Sequence, residues 1–145
     1  MNTKWEKVIS DQSVVRILVV EDFAAWRQYV LEKLQENPRL RVVDFASDGL
    51  EAVRKAEELR PDLILLAIGL PSLNGIEAAK QIRKRAPESK IIFLTLETSA
   101  EIVQVALSLG AVGYVSKMSA ESDLLAAVAA VMSGKQFISQ RSANR

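Results

Sequence analysis

The chain has 145 residues, with 19 basic and 18 acidic side chains and a formal net charge of +1. That length suits one domain with a substantial core, and the charge balance argues against wholesale binding to nucleic acid or an anionic membrane. With no Cys and no His, disulfides, thiolate chemistry, the commonest general base and the commonest transition-metal ligand are excluded, and oxygen ligands and Lys/Arg chemistry remain.

Residues 1–13 read as an N-terminal extension in which Trp5, Val8 and Ile9 could dock on the domain. This lead-in carries charges at Lys4, Glu6, Lys7 and Asp11 and lacks the apolar core of a secretory signal. The apolar runs at 63–70 and 124–132 are far shorter than the roughly 20 residues of a membrane-spanning helix. No membrane association and a cytoplasmic location are therefore expected.

Residues 14–20 are rich in β-branched side chains, predict a first strand and end in Glu21-Asp22. Residues 24–36 turn helical, with Trp26, Val30, Leu31 and Leu34 on one face, and Asn37-Pro38 stops them. A second strand is expected over 41–45. Asp48-Gly49 opens a helix through Leu59, whose inward residues are expected to be Leu50, Val53, Ala56 and Leu59. Residues 63–66, between Pro61 and Gly69/Pro71, form a continuous apolar run that predicts a central strand buried on both faces.

The next helix is expected over 75–85, with Ile76, Ala79 and Ile82 inward and Pro87 beyond its end. Residues 90–94 predict a fourth strand with Thr95 at its end, residues 99–109 a helix closed by Gly110, and residues 113–116 a fifth strand ending at Lys117. The last helix spans 120–133, with Leu124, Leu125, Val128 and Val131 on its buried side and Gly134 as its stop. Five strands alternating with five helices predict an α/β fold, a doubly wound parallel sheet covered on both faces.

In such a sheet Glu21, Asp22, Ala67, Thr95 and Lys117 stand at the carboxyl ends of strands one, three, four and five, the edge where open parallel sheets bind ligands. Taken singly these residues are ordinary: a Glu-Asp pair is turn chemistry, Thr95 a capping hydroxyl, Lys117 a solvated charge, and Tyr114 packing on an edge strand. Folding does not demand polar residues at three strand ends, so the joint placement points to a pocket. Its two carboxylates suit Mg²⁺, and its hydroxyl and ammonium suit phosphoryl oxygens.

The segments Val-Val-Glu-Asp at 19–22, residues 62–78 ending in Gly-Leu-Pro-Ser-Leu-Asn-Gly-Ile-Glu-Ala, Leu-Thr at 94–95 and Gly-Tyr-Val-Ser-Lys at 113–117 closely resemble the receiver domain of two-component response regulators. The wording is nearest to regulators carrying a LuxR-type DNA-binding domain, and the likeness covers roughly residues 14–138. It implies a flavodoxin-like fold with strand order 2-1-3-4-5. By the resemblance, Glu21 and Asp22 match the metal-binding acidic pair and the Gly69 carbonyl a backbone metal ligand. Thr95 matches the switch hydroxyl, Tyr114 its coupled aromatic and Lys117 the phosphate-contacting lysine. Ala67 falls where the family has its phosphoacceptor aspartate.

Alanine can be neither nucleophile nor metal ligand. The resemblance therefore implies a receiver silent at Ala67, either a natural pseudo-receiver or an engineered non-phosphorylatable variant, with Mg²⁺ binding weakened or absent and no enzymatic activity. It implies a sensor histidine kinase as partner and a homodimer. The run of Ala126, Ala127, Ala129 and Ala130 would let another helix approach the last helix closely.

Lys80, Arg83, Lys84 and Arg85 read as a solvated basic face, and no helix-turn-helix pattern follows the receiver-like part. No direct DNA binding is expected of residues 1–145. Residues 139–145 read as a tail or the start of a linker to a missing C-terminal DNA-binding domain. The alternative is a nucleotide- or flavin-binding module of flavodoxin-like fold, against which stands the lack of a Gly-rich phosphate loop after the first strand.

Overall fold

The computed structural model describes residues 13–139. The expected docking of Trp5, Val8 and Ile9, and the expected linker role beyond Ser139, lie outside the described residues. Six strands, β1 (Val15–Val20), β2 (Leu40–Ala46), β3 (Leu63–Leu66), β4 (Lys90–Thr95), β5 (Gly113–Ser116) and β6 (Phe137–Ile138), form one parallel sheet in the order β2-β1-β3-β4-β5-β6. Five helices cross between them: α1 (Ala24–Leu34), α2 (Gly49–Leu59), α3 (Gly75–Arg85), α4 (Ala100–Ser108) and α5 (Ala120–Met132).

The expectation of five strands in the order 2-1-3-4-5 is corrected by β6. After α5 the chain turns at Gly134, whose φ is +87°, a conformation glycine adopts without steric cost. Phe137 N–H then donates to the Val112 carbonyl at 3.1 Å and Ser139 N–H to the Tyr114 carbonyl at 2.8 Å, which pairs an otherwise open edge of β5. Two apolar residues in a polar stretch are too short to show strand periodicity.

Alternation along each strand sorts the core into two layers. Ile17, Val19, Leu63, Leu65, Ile92, Leu94 and Val115 face α1 and α5, where Val30, Leu34, Leu124, Ala127 and Val128 meet them. Leu18, Val20, Ile64, Leu66, Ile91, Phe93 and Tyr114 face α2, α3 and α4. All four residues of β3 are at most 1% exposed, which explains why that strand reads as unbroken apolar sequence rather than as alternation.

Three of the five helices, α2, α3 and α4, start at a side-chain cap. The carboxylate of Asp48 accepts from Glu51 N–H at 2.8 Å, the Asn74 side-chain oxygen from Glu77 N–H at 3.0 Å and the Ser99 hydroxyl from Ile102 N–H at 3.3 Å. One inward face differs from expectation: Leu50 is 57% exposed while Ala52 is fully buried. The buried stripe of α2 is Gly49, Ala52, Val53 and Ala56, because Gly49 is the residue that meets the β3–α3 loop. A Cβ there would lie 1.8 Å from the Leu73 carbonyl oxygen, so no residue with a side chain fits that approach.

The same loop is closed at its other end by Gly75, whose N–H donates to the Ile68 carbonyl at 2.7 Å. A Cβ on Gly75 would stand 2.0 Å from the Ala67 carbonyl oxygen, so the start of α3 is pressed directly against the end of β3. Gly75→Ala must displace backbone on one side or the other. We expect it to cost about 2 kcal/mol or more, read as a lower midpoint in urea unfolding.

Candidate functional site

The parallel register aligns the strand ends. Val20 pairs with Leu66, Leu66 with Phe93 and Thr95 with Ser116, so the residues just beyond arrive at one edge. There Glu21, Asp22, Ala67, Ile68, Gly69, Thr95, Leu96, Glu97, Ile102 and Lys117 line a cavity of about 270 Å³. Every sequence-predicted site residue except Tyr114 contributes to its wall. Glu97, Leu96 and Ile102 do not stand out in the sequence, because a loop residue and the first turn of α4 carry no chemical signature of their own.

Glu21 is 4% exposed, and a carboxylate buried to that degree requires compensation. Its Oε1 pairs with Lys117 Nζ at 2.7 Å, the two side chains being 6% and 9% exposed. Its Oε2 accepts from Phe23 N–H at 3.1 Å. Arg27 donates to the Glu21 backbone carbonyl at 3.1 Å. Trp26 of α1, which the sequence presents as one more core residue, stands with its ring 4.9 Å from Lys117 Nζ. The indole face therefore shares the ammonium with Glu21.

Thr95 and Tyr114 are connected through the loop between β4 and α4. Thr95, 4% exposed, accepts at Oγ1 from Glu97 N–H at 3.2 Å. The Tyr114 hydroxyl donates to the Glu97 carbonyl at 2.6 Å. Tyr114 is fully buried and packs against Phe93 with ring centroids 6.1 Å apart. It thus acts on the pocket through Glu97 rather than lining it. Burial, reinforced by the nearby Glu97 charge, raises the Tyr114 phenol far above the ordinary tyrosine value.

The donor set fits Mg²⁺ poorly. Asp22 supplies an exposed carboxylate and Gly69 lies at the cavity wall, but both oxygens of Glu21 are engaged and Ala67 has no oxygen on its side chain. Among the described residues no three acidic side chains converge as a metal-holding group. The cavity is therefore a poor cradle for an ion that demands near-octahedral oxygen coordination.

Residues 17–129 match the response regulator receiver domain family. Among curated proteins the chain is similar to the protein-glutamate methylesterase/protein-glutamine glutaminase of Thermotoga maritima, 48% identical over 105 residues that cover 72% of this chain and 30% of that protein. It is also similar to the nitrate/nitrite response regulator protein NarL of Escherichia coli, 33% identical over 132 residues, 91% of this chain and 61% of that one. The chain thus spans less than two thirds of either relative.

Among solved structures, a LuxR-family two-component response regulator from Aurantimonas sp. SI85-9A1 superposes with a TM-score of 0.87 at 31% identity, covering 91% of this chain and 94% of that one. The response regulator domain of Thermotoga maritima CheB gives 0.78 at 39% identity, covering 83% and 97%. These matches agree with the flavodoxin-like receiver fold and leave the nucleotide- or flavin-binding alternative without support.

Two outcomes follow from the geometry. Lys117→Met leaves the buried Glu21 carboxylate without its counter-charge and should cost about 3–5 kcal/mol at neutral pH, measured by urea unfolding. The second concerns alkaline pH. A phenol whose folded pKa lies above its unfolded value near ~10 contributes stability that is complete below that pH and is lost as pH rises through and beyond it. The chain has two tyrosines, and Tyr29 is also shifted upward, by burial and then by Glu121. An absorbance titration should therefore show tyrosinate forming later than in the unfolded chain, with Tyr114 ionising last and together with unfolding. Tyr114→Phe should remove that final step.

Proposed function

The chain belongs to the response regulator receiver domain family, and from that membership we propose that it is a receiver unable to accept a phosphoryl group. The observation that carries this reading is Ala67. It stands at the carboxyl end of β3, on the wall of the cavity that Glu21, Asp22, Thr95 and Lys117 also line. It is 5% exposed, and its methyl group offers no electron pair with which to attack phosphorus. Among this cavity's side chains Glu21 is occupied by Lys117, so no other buried carboxylate stands free at that position.

In this reading the remaining residues keep the roles that the family resemblance assigns them. Glu21, Asp22 and the Gly69 carbonyl are the residual oxygen donors for Mg²⁺, which binds weakly without a third carboxylate. Thr95 and Lys117 are the phosphoryl-facing hydroxyl and ammonium, and Tyr114 is the aromatic coupled to Thr95. With no acceptor, the domain holds its resting conformation whichever sensor histidine kinase meets it. Output then passes through contacts with other proteins, or through an attached DNA-binding domain.

Direct DNA binding by this chain is not proposed. On the basic α3, Lys80 is paired with Glu77 at 3.0 Å and Arg85 with Glu57 at 3.3 Å, while Arg83 donates to the Pro87 carbonyl at 2.9 Å. Those contacts fit a solvated face. No helix among the described residues is long and apolar enough to cross a membrane. Enzymatic activity is not proposed either: the methylesterase name belongs to a relative of which this chain spans 30%. Homodimerisation is proposed through α5, where Ala126 and Ala129 are exposed. Ala127 is buried in the core, so only part of the alanine run is available to a partner helix.

The test is chemical. The parent chain and Ala67→Asp are each incubated with Mg²⁺ and a small-molecule phosphodonor, and their intact masses compared. We expect only the aspartate variant to gain one phosphoryl group. A stable gain by the parent chain would show that another side chain accepts phosphate and would sink the reading.

A further inference from the structure

Ser139 is fully buried and polar, and its hydroxyl and backbone N–H tie it to two elements, α5 and β5. Its hydroxyl donates to Asp123 Oδ2 of α5 at 2.8 Å. The same oxygen accepts from Ser116 N–H at the end of β5, at 3.0 Å. Its backbone N–H donates to the Tyr114 carbonyl at 2.8 Å. The N–H bond belongs to the pairing of β6, whereas the two hydroxyl bonds are additional to it.

What those bonds connect is the pocket. Ser116, itself fully buried, accepts at Oγ from Met118 N–H at 3.1 Å and so caps the single 3₁₀ turn Lys117–Ser119. That turn carries the Lys117 ammonium to Glu21. Tyr114, whose carbonyl Ser139 grips, reaches Glu97 and hence Thr95 through its hydroxyl. Ser139 is thus one bond from the backbone of each of the two residues, Tyr114 and Ser116, that flank β5's route to the cavity.

We infer that Ser139 is a latch that couples the position of the Lys117 turn to the short edge strand β6. Movement of the turn shifts Ser116, whose hydroxyl caps the turn and whose amide holds Ser139, and so loosens Ser139 and β6. Release of Ser139 in turn loosens the turn, since a coupling between two sites acts in both directions. The latch stands on the hydrogen bonds alone and is independent of the role proposed for Ala67.

The test is residue-resolved amide hydrogen exchange under native conditions on the full chain, comparing the parent with Ser139→Ala and with Asp123→Ala. The second variant removes the acceptor on half-buried α5 surface and leaves the buried serine in place, so it stays informative even where the first fails to fold. We expect exchange to accelerate about tenfold or more at the amides of Ser116, Met118, Phe137 and residue 139 together, while β1 and β3 keep the parent's protection. Acceleration confined to the amides of residues 137 and 139, or no acceleration at all, would mean that β6 is not coupled to the turn. Uniform acceleration through the sheet in Asp123→Ala would equally overturn the latch, because these bonds would then belong to the global unfolding unit.

Discussion

A carboxylate that is almost fully removed from water at the end of the first strand is the constraint around which this site is arranged. A carboxylate so buried needs compensation, and Lys117, delivered from the far side of the sheet by β5, stands at 2.7 Å. The arrangement depends on the sheet order. β1 and β5 are separated by β3 and β4, so the ion pair spans the two strands whose ends hold Ala67 and Thr95. Trp26 closes the pair from α1, its ring 4.9 Å from the ammonium. The pair and the ring thus link β1, β5 and α1 across the cavity.

Ala67 gives that pair its significance. An aspartate at the end of β3 would add a third carboxylate, and Lys117 would then be shared between charges or displaced by a divalent cation. With a methyl group in its place, the ammonium and Glu21 satisfy each other, and the Phe23 N–H takes the second oxygen. Under the proposal made for Ala67 that position lacks a nucleophile, and the charges that remain pair with one another. Asp22 remains as the exposed carboxylate at the cavity wall.

Much of this is legible in the amino-acid order alone. The four-residue run of β3, the helix that opens at Asp48-Gly49, and the convergence of Glu21, Asp22, Thr95 and Lys117 all follow from local pattern and parallel topology. What escapes the sequence has physical causes. The α2 stripe runs through Gly49 and Ala52 rather than Leu50 because the Leu73 carbonyl leaves no room for a Cβ at Gly49, and periodicity weighs only large apolar residues. The sixth strand is two residues long, below the length at which alternation exists. Ser139, Glu97 and Trp26 belong to the site's surroundings through tertiary hydrogen bonds and ring contacts, which no spacing rule encodes. Ala67 itself is visible as a residue, but only the family resemblance gives its position chemical meaning.

At this edge Lys117 balances the charge of Glu21 at 2.7 Å. The most direct measurement is a Mg²⁺ titration of the unmodified chain followed by amide NMR shifts. The signals of Glu21, Asp22, Gly69, Thr95 and Lys117 are expected to move little and without saturation across the millimolar range. A saturable shift shared by those residues would show that the ion displaces Lys117 from Glu21, and would contradict that balance.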